Sequence, residues 1–269
     1  MDKLITKNQI KFSIVIAVYN GQRYIQETIN SIKNQTYQNY EVILIDGNST
    51  DTTMEIVLNN KSFFSKIVSE ADSGMYDAIN KGFSFAKGTH YCYINADDIL
   101  KSYALEKVAE VFKKNKSDLV FGDVEYIDEK SQFIYAMKGK KLSKKGVSYL
   151  RRVPFAQQSS FWSSEIYKKL GGFEATLKYV ADSKFLLNLY LDPNTKIKYI
   201  SKVLGVYRLH PDSFSVGSLA KMKNESKFML QSLESLKTNK FLKLYYEFLT
   251  KIINIGGIYN RKKYNGPKF

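Results

Sequence analysis

The sequence predicts an α/β protein with a mostly parallel sheet flanked by helices. Two observations carry this prediction. Short apolar, β-branched runs alternate with helical patterns through the first half of the 269-residue chain, and polar, mostly acidic residues follow the ends of several runs. Because parallel strands need crossover connections, usually helices, the alternation favours a parallel sheet covered on both faces. Such sheets bind ligands beyond the carboxyl ends of their strands.

The first strand is predicted at residues 12–18, where a continuous apolar run indicates burial on both faces. After Asn20-Gly21, a helix is predicted with Ile25, Ile29 and Ile32 on one face. Further strands are predicted, in order, at residues 41–45, 66–70, 91–95 and 118–124. The helical patterns between them are carried by Met54, Ile56 and Val57, by Met75, Ile79, Phe83 and Ala86, and by Leu105, Val108 and Phe112.

The second half of the chain is less regular. Residues 139–146, GKKLSKKG, predict a basic loop, and a short strand is expected before a helix that begins at about Ser164. The segment VADSKFLLNLYL suits a helix that begins at Asp182. The segments KIKYI and LGVYRLH are typical of closing strands. We therefore expect one domain over residues 1–215.

From about residue 216 the pattern is helical, and we expect a basic amphipathic extension over residues 216–269. Lysines flank an apolar stripe formed by Phe241, Leu244, Tyr245, Phe248, Ile252 and Ile255. Three roles are open for this extension. It packs on the rest of the chain or on a sister subunit in a homodimer, it lies on an anionic membrane surface, or it binds nucleic acid, for which no motif is present.

Charge and composition narrow the class of protein. The chain has 41 Lys and Arg against 26 Asp and Glu, a formal net charge of +15, which attracts nucleic acid, anionic lipids and nucleotide phosphates alike. The single cysteine, Cys92, excludes an internal disulfide and fits a reducing compartment. The sequence shows no signal-peptide core and no apolar run of about 18 residues, so a cytoplasmic location is expected.

Asp97 and Asp98 directly follow a predicted strand, and Asp46 and Asp72 follow the ends of two others. Crowded carboxylates raise one another's pKa unless a cation relieves the repulsion. Oxygen ligands at a strand end suit Mg²⁺ or Mn²⁺, with substrate phosphates completing the coordination. The alternative is that Asp98 caps the next helix and Asp97 is solvated. Because the chain has neither a P-loop nor a dinucleotide fingerprint, carboxylates bridged by a metal are the expected means of holding a diphosphate.

Three segments together resemble bacterial family 2 glycosyltransferases with the GT-A, Rossmann-like fold, most strongly the branch that builds surface polysaccharides such as O-antigen and capsule. They are SIVIAVYNGQRYIQETINSIKNQTYQNYEVILIDGNSTDTT, SEADSGMYDAINKGFSFAKGTHYCYINADD, and KLGGFEATLKYVADSKFLLNL followed by YRLHPDSFS. The resemblance covers about residues 11–215. It implies an inverting transfer of sugar from a nucleotide-sugar, with UDP expected ahead of dTDP and GDP, to a hydroxyl of an undecaprenyl-diphosphate-linked glycan at the inner face of the membrane.

The resemblance also implies roles for individual residues. The nucleotide-sugar pocket is expected to include Ala17, Tyr19, Asn20, Asp46, Asp72, Lys81, Asn95 and Ala96. In it, Asp46 accepts a hydrogen bond from the base and Asp72 lies near the ribose or donor sugar. Lys81 either meets phosphate or is a solvated helix lysine. Asn95 stands where the family often has aspartate.

The metal, Mn²⁺ or Mg²⁺, is expected at Asp97, Asp98 and His210, and which aspartate is the direct ligand is open. His210 is alternatively a loop histidine bonded to backbone. Asp182 matches the catalytic base that takes the proton of the acceptor hydroxyl; its alternative role is to cap its own helix.

Three other functions compete with this interpretation. Asn95 leaves open a degenerate scaffold that binds nucleotides without catalysis. The net charge leaves open a nucleic-acid-binding protein. A nucleotidyltransferase would release pyrophosphate instead of a nucleoside diphosphate.

Overall fold

The computed structural model describes residues 9–233 and 239–263. Over those residues the strands are β1 Phe12–Val18, β2 Tyr40–Asp46, β3 Lys66–Ser69, β4 His90–Asn95, β5 Ile99–Leu100, β6 Leu119–Ile127, β7 Phe133–Met137, β8 Ser160–Ser163 and β9 Ile197–Arg208. The helices are α1 Ile25–Lys33, α2 Thr53–Asn59, α3 Met75–Ser84, α4 Ala104–Asn115, α5 Lys144–Leu150, α6 Ser164–Lys169, α7 Ala181–Leu191, α8 Phe214–Gly217, α9 Leu219–Ser232, α10 Lys240–Ile253 and α11 Ile255–Lys263.

The strands form one sheet in the order β3-β2-β1-β4-β8-β6-β9-β5, and β7 pairs with β6. The first four strands of this order run parallel to one another, and so do β6 and β9. In register, Val18 lies opposite Asp46, Asp46 opposite Ser69, and Ala17 opposite Asn95. The carboxyl ends of β1 to β4 therefore meet at one edge, as the sequence predicts.

Apolar cores lie on both faces of the sheet. One contains Val15, Ile45 and the inner face of α3, and the other contains Ile14, Ile16 and the inner face of α1. Helix α3 packs very close to the sheet, because a Cβ on Gly82 would lie 2.5 Å from Val15 Cγ1. The predicted α/β fold, with helices on both faces of a mostly parallel sheet, is confirmed.

Two local predictions are wrong. The loop predicted at residues 139–146 ends early, because the Ser143 hydroxyl accepts a hydrogen bond from Gly146 N at 3.0 Å and begins α5. The two closing strands are one strand, β9, whose pairing with β6 shifts register on either side of Asp123. The segment between the two apolar patterns stays part of β9, because the pairing with β6 changes register there without ending the strand.

Helix α9 packs against the preceding domain. Met229 is buried in the core beside α7. The Glu225 carboxylate accepts hydrogen bonds from the backbone N–H groups of Lys178, Tyr179 and Val180, at 2.6–3.0 Å, just before α7 begins. The division of the chain at residue 215 stays a prediction. Across residues 9–233 and 239–263, no helix is both long and apolar enough to span a bilayer.

Candidate active site

Asp46, the last residue of β2, is completely buried. Its carboxylate accepts hydrogen bonds from the Ser49 hydroxyl at 2.5 Å, from Ser49 N at 3.1 and 3.2 Å, and from the Ser69 hydroxyl at 2.6 Å. These donors satisfy both oxygens. A direct bond from a nucleotide base to Asp46 would require Ser49 or Ser69 to leave, so the predicted contact with the base stays a prediction.

Asn20 connects the loops that follow β1 and β2. Its backbone N–H donates to the Ser49 hydroxyl at 2.8 Å, and its side-chain oxygen accepts from Thr50 N at 2.8 Å. Its φ of 50° lies in the left-handed region that asparagine tolerates better than most residues. Tyr19, which precedes it, is 64% exposed. An aromatic face is thus available on the carboxyl side of the sheet.

Asp72 lies beside the same loops. A Cβ on Gly47 would lie 2.8 Å from Asp72 Oδ2 and 3.6 Å from the Tyr19 ring, so glycine is required for this close approach. The other Asp72 oxygen accepts from Gly74 N at 2.8 Å. The structure therefore brings Tyr19, Gly47 and Asp72 together, as the prediction of a common pocket requires.

Lys81, on α3, forms an ion pair with Glu70 at 2.7 Å. The hydrogen bond to Glu70 raises the pKa of Lys81, with smaller contributions from Asp77 and Asp72. Both side chains are partly exposed. Contact between Lys81 and phosphate stays a prediction, and it would require an exchange of partners with Glu70.

The three remaining positions of the predicted pocket, Ala17, Asn95 and Ala96, lie where β1 and β4 meet. Ala17 pairs with Asn95 across the two strands. The carbonyl of Ala96 accepts from the Thr28 hydroxyl at 3.0 Å, and its Cβ would lie 3.3 Å from a Cβ on Gly21. Ala96 thus helps to place α1 against the end of β4.

Asp98 is 1% exposed and is held entirely by protein donors. Its Oδ1 accepts from Arg208 N at 3.1 Å, and its Oδ2 accepts from Asn95 Nδ2 at 2.9 Å and Gln158 Nε2 at 3.1 Å. Burial, and then the neighbouring charge of Asp97, raise the pKa of Asp98 well above its ordinary value, and these three hydrogen bonds act in the opposite direction. The alternative in which Asp98 caps the next helix is wrong, because α4 begins without any side-chain cap.

Asp97 has a different environment. Its side chain is 25% exposed, and its Oδ2 lies 2.9 Å from His210 Nε2. His210 is 6% exposed, its ring centroid is 4.8 Å from that of Tyr24, and its Nδ1 is buried without a partner among the described residues. The alternative in which His210 merely bonds to backbone is wrong for Nε2, which faces a carboxylate. Asp97 and His210 form a pair of one partly exposed carboxylate and one buried imidazole. Asp98 supports the turn that carries Asp97.

Arg208, which the sequence analysis did not single out, braces this turn. It is completely buried; its Nε donates to the Asp97 carbonyl at 3.0 Å and its NH2 to Glu27 Oε2 at 2.6 Å. Its guanidinium also lies 4.4 Å from the centroid of the Tyr24 ring, a cation–π contact. The available signal was a single arginine inside the apolar run LGVYRLH, since a buried arginine needs several acceptors.

Asp182 lies in the first turn of α7 and is half-buried. Its carboxylate accepts hydrogen bonds from Tyr76 OH at 2.8 Å, from Tyr93 OH at 3.3 Å and from Ser183 N at 2.6 Å. The alternative in which Asp182 only caps its helix is incomplete, because Asp182 accepts one N–H of the first turn but also two tyrosine hydroxyls from other elements. Neither tyrosine is among the predicted site residues, because nothing in the sequence brings α3, β4 and α7 together.

The electrostatics of Asp182 suit a proton acceptor. Burial raises the pKa of Asp182, and the hydrogen bonds from Tyr76, Ser183 and Tyr93 act in the opposite direction. Burial, followed by the charge of Asp182, raises the pKa of Tyr93 well above its ordinary value, and Asp98 adds to this effect. The hydrogen bond from Tyr93 OH at 3.3 Å places Asp182 beside β4, the strand that the acidic turn follows.

A divalent ion is compatible with Asp97 and His210, since carboxylate oxygen and imidazole nitrogen are suitable ligands for Mn²⁺. Within residues 9–233 and 239–263, however, no three His, Cys, Asp or Glu side chains converge as a metal site would require. Two protein ligands are enough only when substrate oxygens and water supply the rest. The metal site expected at Asp97, Asp98 and His210 therefore stays a prediction.

Together the sheet, its acidic carboxyl edge and the half-buried Asp182 define a GT-A-type transferase. Comparison with known proteins identifies the family. Residues 13–179 match the model of Glycosyl transferase family 2. The chain belongs to the family 2 glycosyltransferases.

Two relatives illustrate the range of the family. The chain is 28% identical to an uncharacterised glycosyltransferase of Rickettsia prowazekii over 259 residues, which cover 89% of this chain and 80% of that protein. It is 29% identical over 205 residues to a PGL/p-HBAD biosynthesis glycosyltransferase of Mycobacterium tuberculosis, with 73% and 76% covered.

Solved structures share the fold. An S. aureus TarS fragment in complex with UDP-GlcNAc has a TM-score of 0.64 at 16% identity, with 91% of this chain and 71% of that chain covered. The mannosyltransferase PcManGT of Pyrobaculum calidifontis, in complex with GDP-Man and Mn²⁺, has a TM-score of 0.62 at 16% identity, with 94% and 73% covered. The chain spans 39% of a longer TarS chain. At these identities the likeness shows the fold.

Proposed function

We propose that this chain is an inverting, metal-dependent glycosyltransferase that moves a sugar from a nucleotide-sugar to an acceptor hydroxyl. The observation that carries the proposal is the environment of Asp182. It is a half-buried carboxylate whose pKa is raised by burial, and Tyr76 and Tyr93 hold it beside the acidic end of β4. A base with a raised pKa accepts a proton effectively near neutral pH.

In the proposed reaction the acceptor hydroxyl oxygen attacks the anomeric carbon of the donor. The bond between that carbon and the diphosphate oxygen breaks, and the proton of the hydroxyl passes to Asp182. Attack on the face opposite the leaving group inverts the anomeric configuration. Tyr76 and Tyr93 orient the carboxylate by donating to its two oxygens.

Asp97 and His210 are the residues that would hold Mn²⁺ or Mg²⁺ together with the donor's diphosphate. When bound, the ion supplies Lewis-acid stabilisation of the departing diphosphate. Asp98 is excluded as a direct ligand in this proposal, because Arg208, Gln158 and Asn95 already occupy its oxygens. Its function is to fix the turn that presents Asp97.

The donor is proposed to be a UDP-sugar, held by the loops that carry Tyr19, Asn20 and Asp72. The TarS fragment whose fold this chain shares was solved with UDP-GlcNAc, and PcManGT with GDP-Man, so GDP-sugars are the alternative. We propose that the acceptor is a hydroxyl of a glycan linked to undecaprenyl diphosphate. This glycan is used for a surface polysaccharide, and the transfer takes place at the cytoplasmic face of the membrane. The motifs KLGGFEATLKYVADSKFLLNL and YRLHPDSFS support that proposal.

The first experiment identifies the donor. A thermal-shift panel of UDP-, dTDP- and GDP-sugars is measured with and without Mn²⁺, since a ligand that binds only the native state raises the melting temperature. We expect one UDP-sugar to raise it, and more strongly with Mn²⁺. No shift with any nucleotide-sugar contradicts the proposal.

The second experiment tests catalysis, using that donor and a membrane extract containing lipid-linked glycans. Asp182→Asn is expected to lower the release of nucleoside diphosphate by about 1,000-fold, within the range of general-base catalysis, and to leave the donor's thermal shift intact. Glu110→Gln, on the exposed side of α4, is the matched control and keeps full activity.

A degenerate scaffold is the second candidate, favoured by Asn95 and by the closed environment of Asp46. It predicts a donor shift but equal, background release in wild type and Asp182→Asn. Release of pyrophosphate instead of a nucleoside diphosphate would identify a nucleotidyltransferase.

A further inference from the structure

An apolar surface on the C-terminal helices faces solvent. The C-terminal stripe, as we call it, consists of Phe241, Leu244, Tyr245, Phe248, Ile252, Ile255 and Tyr259 on α10 and α11, all of which are at least 50% exposed. Phe241 is 83% exposed and Ile255 71%. Soluble domains rarely leave contiguous apolar surface of this kind without a partner. The first of the three roles, packing of the extension on the rest of the chain, is met by the opposite face of these helices, while the stripe itself stays uncovered and its packing on a sister subunit stays a prediction.

The stripe points outward because the opposite face of the helices is anchored. Tyr246 stacks with Tyr149 of α5 at 6.4 Å between ring centroids, and a Cβ on Gly146 would lie 2.6 Å from its ring. The Asn254 amide pairs with the Lys138 backbone, accepting from its N–H at 2.6 Å and donating to its carbonyl at 3.2 Å. These contacts hold α10 and α11 against the domain and leave the stripe uncovered.

The charge around the stripe indicates what covers it. Helices α10 and α11 carry six cationic side chains, Lys240, Lys243, Lys251, Arg261, Lys262 and Lys263, and the single carboxylate of Glu247. At 3.6 residues per turn, Lys240 and Lys251 lie along one edge of the stripe. A helix with an apolar face and a cationic margin is typical of segments that lie in the interface of an anionic bilayer.

We propose that the C-terminal stripe docks on an anionic phospholipid surface, with the apolar side chains in the interface and the flanking lysines on the headgroups. A second copy of the chain fits this face less well, because pairing the stripes would bring two sets of cations together. Nucleic acid satisfies the cations and leaves the apolar side chains uncovered. The proposal goes beyond sugar transfer and does not depend on the identity of the donor.

The test is co-sedimentation of the full chain with vesicles of phosphatidylglycerol and phosphatidylcholine, compared with phosphatidylcholine alone. We expect binding to the anionic vesicles only. The double variant Phe241→Ser with Phe248→Ser is expected to weaken this binding at least about tenfold, because the buried apolar area sets the strength of interfacial binding. Lys240→Gln with Lys251→Gln is also expected to weaken it about tenfold, and raised salt should reduce the difference from wild type.

A matched control removes exposed apolar side chains that lie outside the stripe. Phe133→Ser with Leu58→Ser deletes two side chains that are 60% and 55% exposed, outside the stripe, and is expected to bind like wild type. Unchanged melting temperatures show that every variant folds.

Two results overturn the proposal. One is wild-type binding by the stripe variant. The other is that light scattering shows a dimer for the wild type and a monomer for the stripe variant, and that the wild type binds neither kind of vesicle. Because each readout is independent of sugar transfer, failure here leaves the proposed activity untouched.

Discussion

The ends of β2 and β4 carry a similar sequence signal, an aspartate at or just beyond the end of an apolar strand, but these aspartates have different environments. At β2, Asp46 is buried and two serines occupy its oxygens. At β4, Asp98 is equally enclosed, while its neighbour Asp97 stays partly exposed beside His210. The enclosed carboxylate of Asp98 and the partly exposed carboxylate of Asp97 thus belong to adjacent residues.

This difference shows that an aspartate at a strand end often holds the local structure, because protein donors already occupy its oxygens. The turn after β4 places two charges together, and Arg208, Gln158 and Asn95 satisfy only Asp98. Burial, and then the charge of Asp97, raise the pKa of Asp98. Asp97 stays partly exposed, with His210 as its side-chain partner.

Among the aspartates at the two strand ends, the largest expected effect on sugar transfer comes from Asp97. Asp97→Asn removes the exposed charge, so we expect sugar transfer to fall about 100-fold or more and the additional thermal shift caused by Mn²⁺ to disappear. The free energy of unfolding without ligand should fall by about 1 kcal/mol or less, because the partly exposed Asp97 is the hydrogen-bond partner of His210. Chemical denaturation and the donor panel measure these quantities. A variant that keeps the Mn²⁺ effect would show that another residue is the ligand.

Asp98→Asn is the matched substitution at the enclosed position. It places an amide against three N–H donors, from Arg208, Gln158 and Asn95, so at least one buried donor loses its acceptor. We expect the free energy of unfolding to fall by about 2 kcal/mol. Urea denaturation checks this. If stability is unchanged, the bonds drawn to Asp98 are not formed in solution.

Asp46→Asn should cost less, about 1 kcal/mol, although Asp46 is as deeply buried. Two of its three donor groups are serine hydroxyls, which can rotate to donate or accept, and only Ser49 N is a fixed donor. The same urea experiment measures the change. A loss of donor binding with little change in stability would instead indicate that Asp46 contacts the base directly.

The smallest expected effect concerns a third carboxylate, Asp182, which is neither enclosed nor fully exposed. Tyr76 donates to the charged form of Asp182, so Tyr76→Phe removes a bond that lowers the pKa and should raise that pKa further. Since the base must be deprotonated, the acidic limb of kcat/KM is expected to move to higher pH. Ser84→Ala, at the exposed end of the same helix, is the control. An unmoved limb would mean that Asp182 is not the titrating base.

Reasoning from sequence predicts most of the framework of this protein. The strands at residues 12–18 and 91–95, the convergence of their carboxyl ends, and the grouping of Tyr19, Asn20 and Asp72 follow from local apolar patterns and from the geometry of parallel sheets. The prediction of a loop over residues 139–146 was wrong, because a single hydrogen bond to the Ser143 side chain caps the start of α5 there.

Contacts between distant segments had no such local signal. Arg208 reaches Glu27 and Asp97 across the chain, and Tyr76 and Tyr93 meet Asp182 from two other elements. The outward orientation of the C-terminal stripe likewise depends on Tyr246 and Asn254.

Local pattern therefore decides which segments become strands and helices and where their polar ends lie, because hydrophobic periodicity is a property of neighbouring residues. Tertiary structure decides which of two adjacent aspartates stays free, which carboxylate has a raised pKa and which helix face remains uncovered. These properties depend on burial and on hydrogen-bond partners that lie far away in the chain.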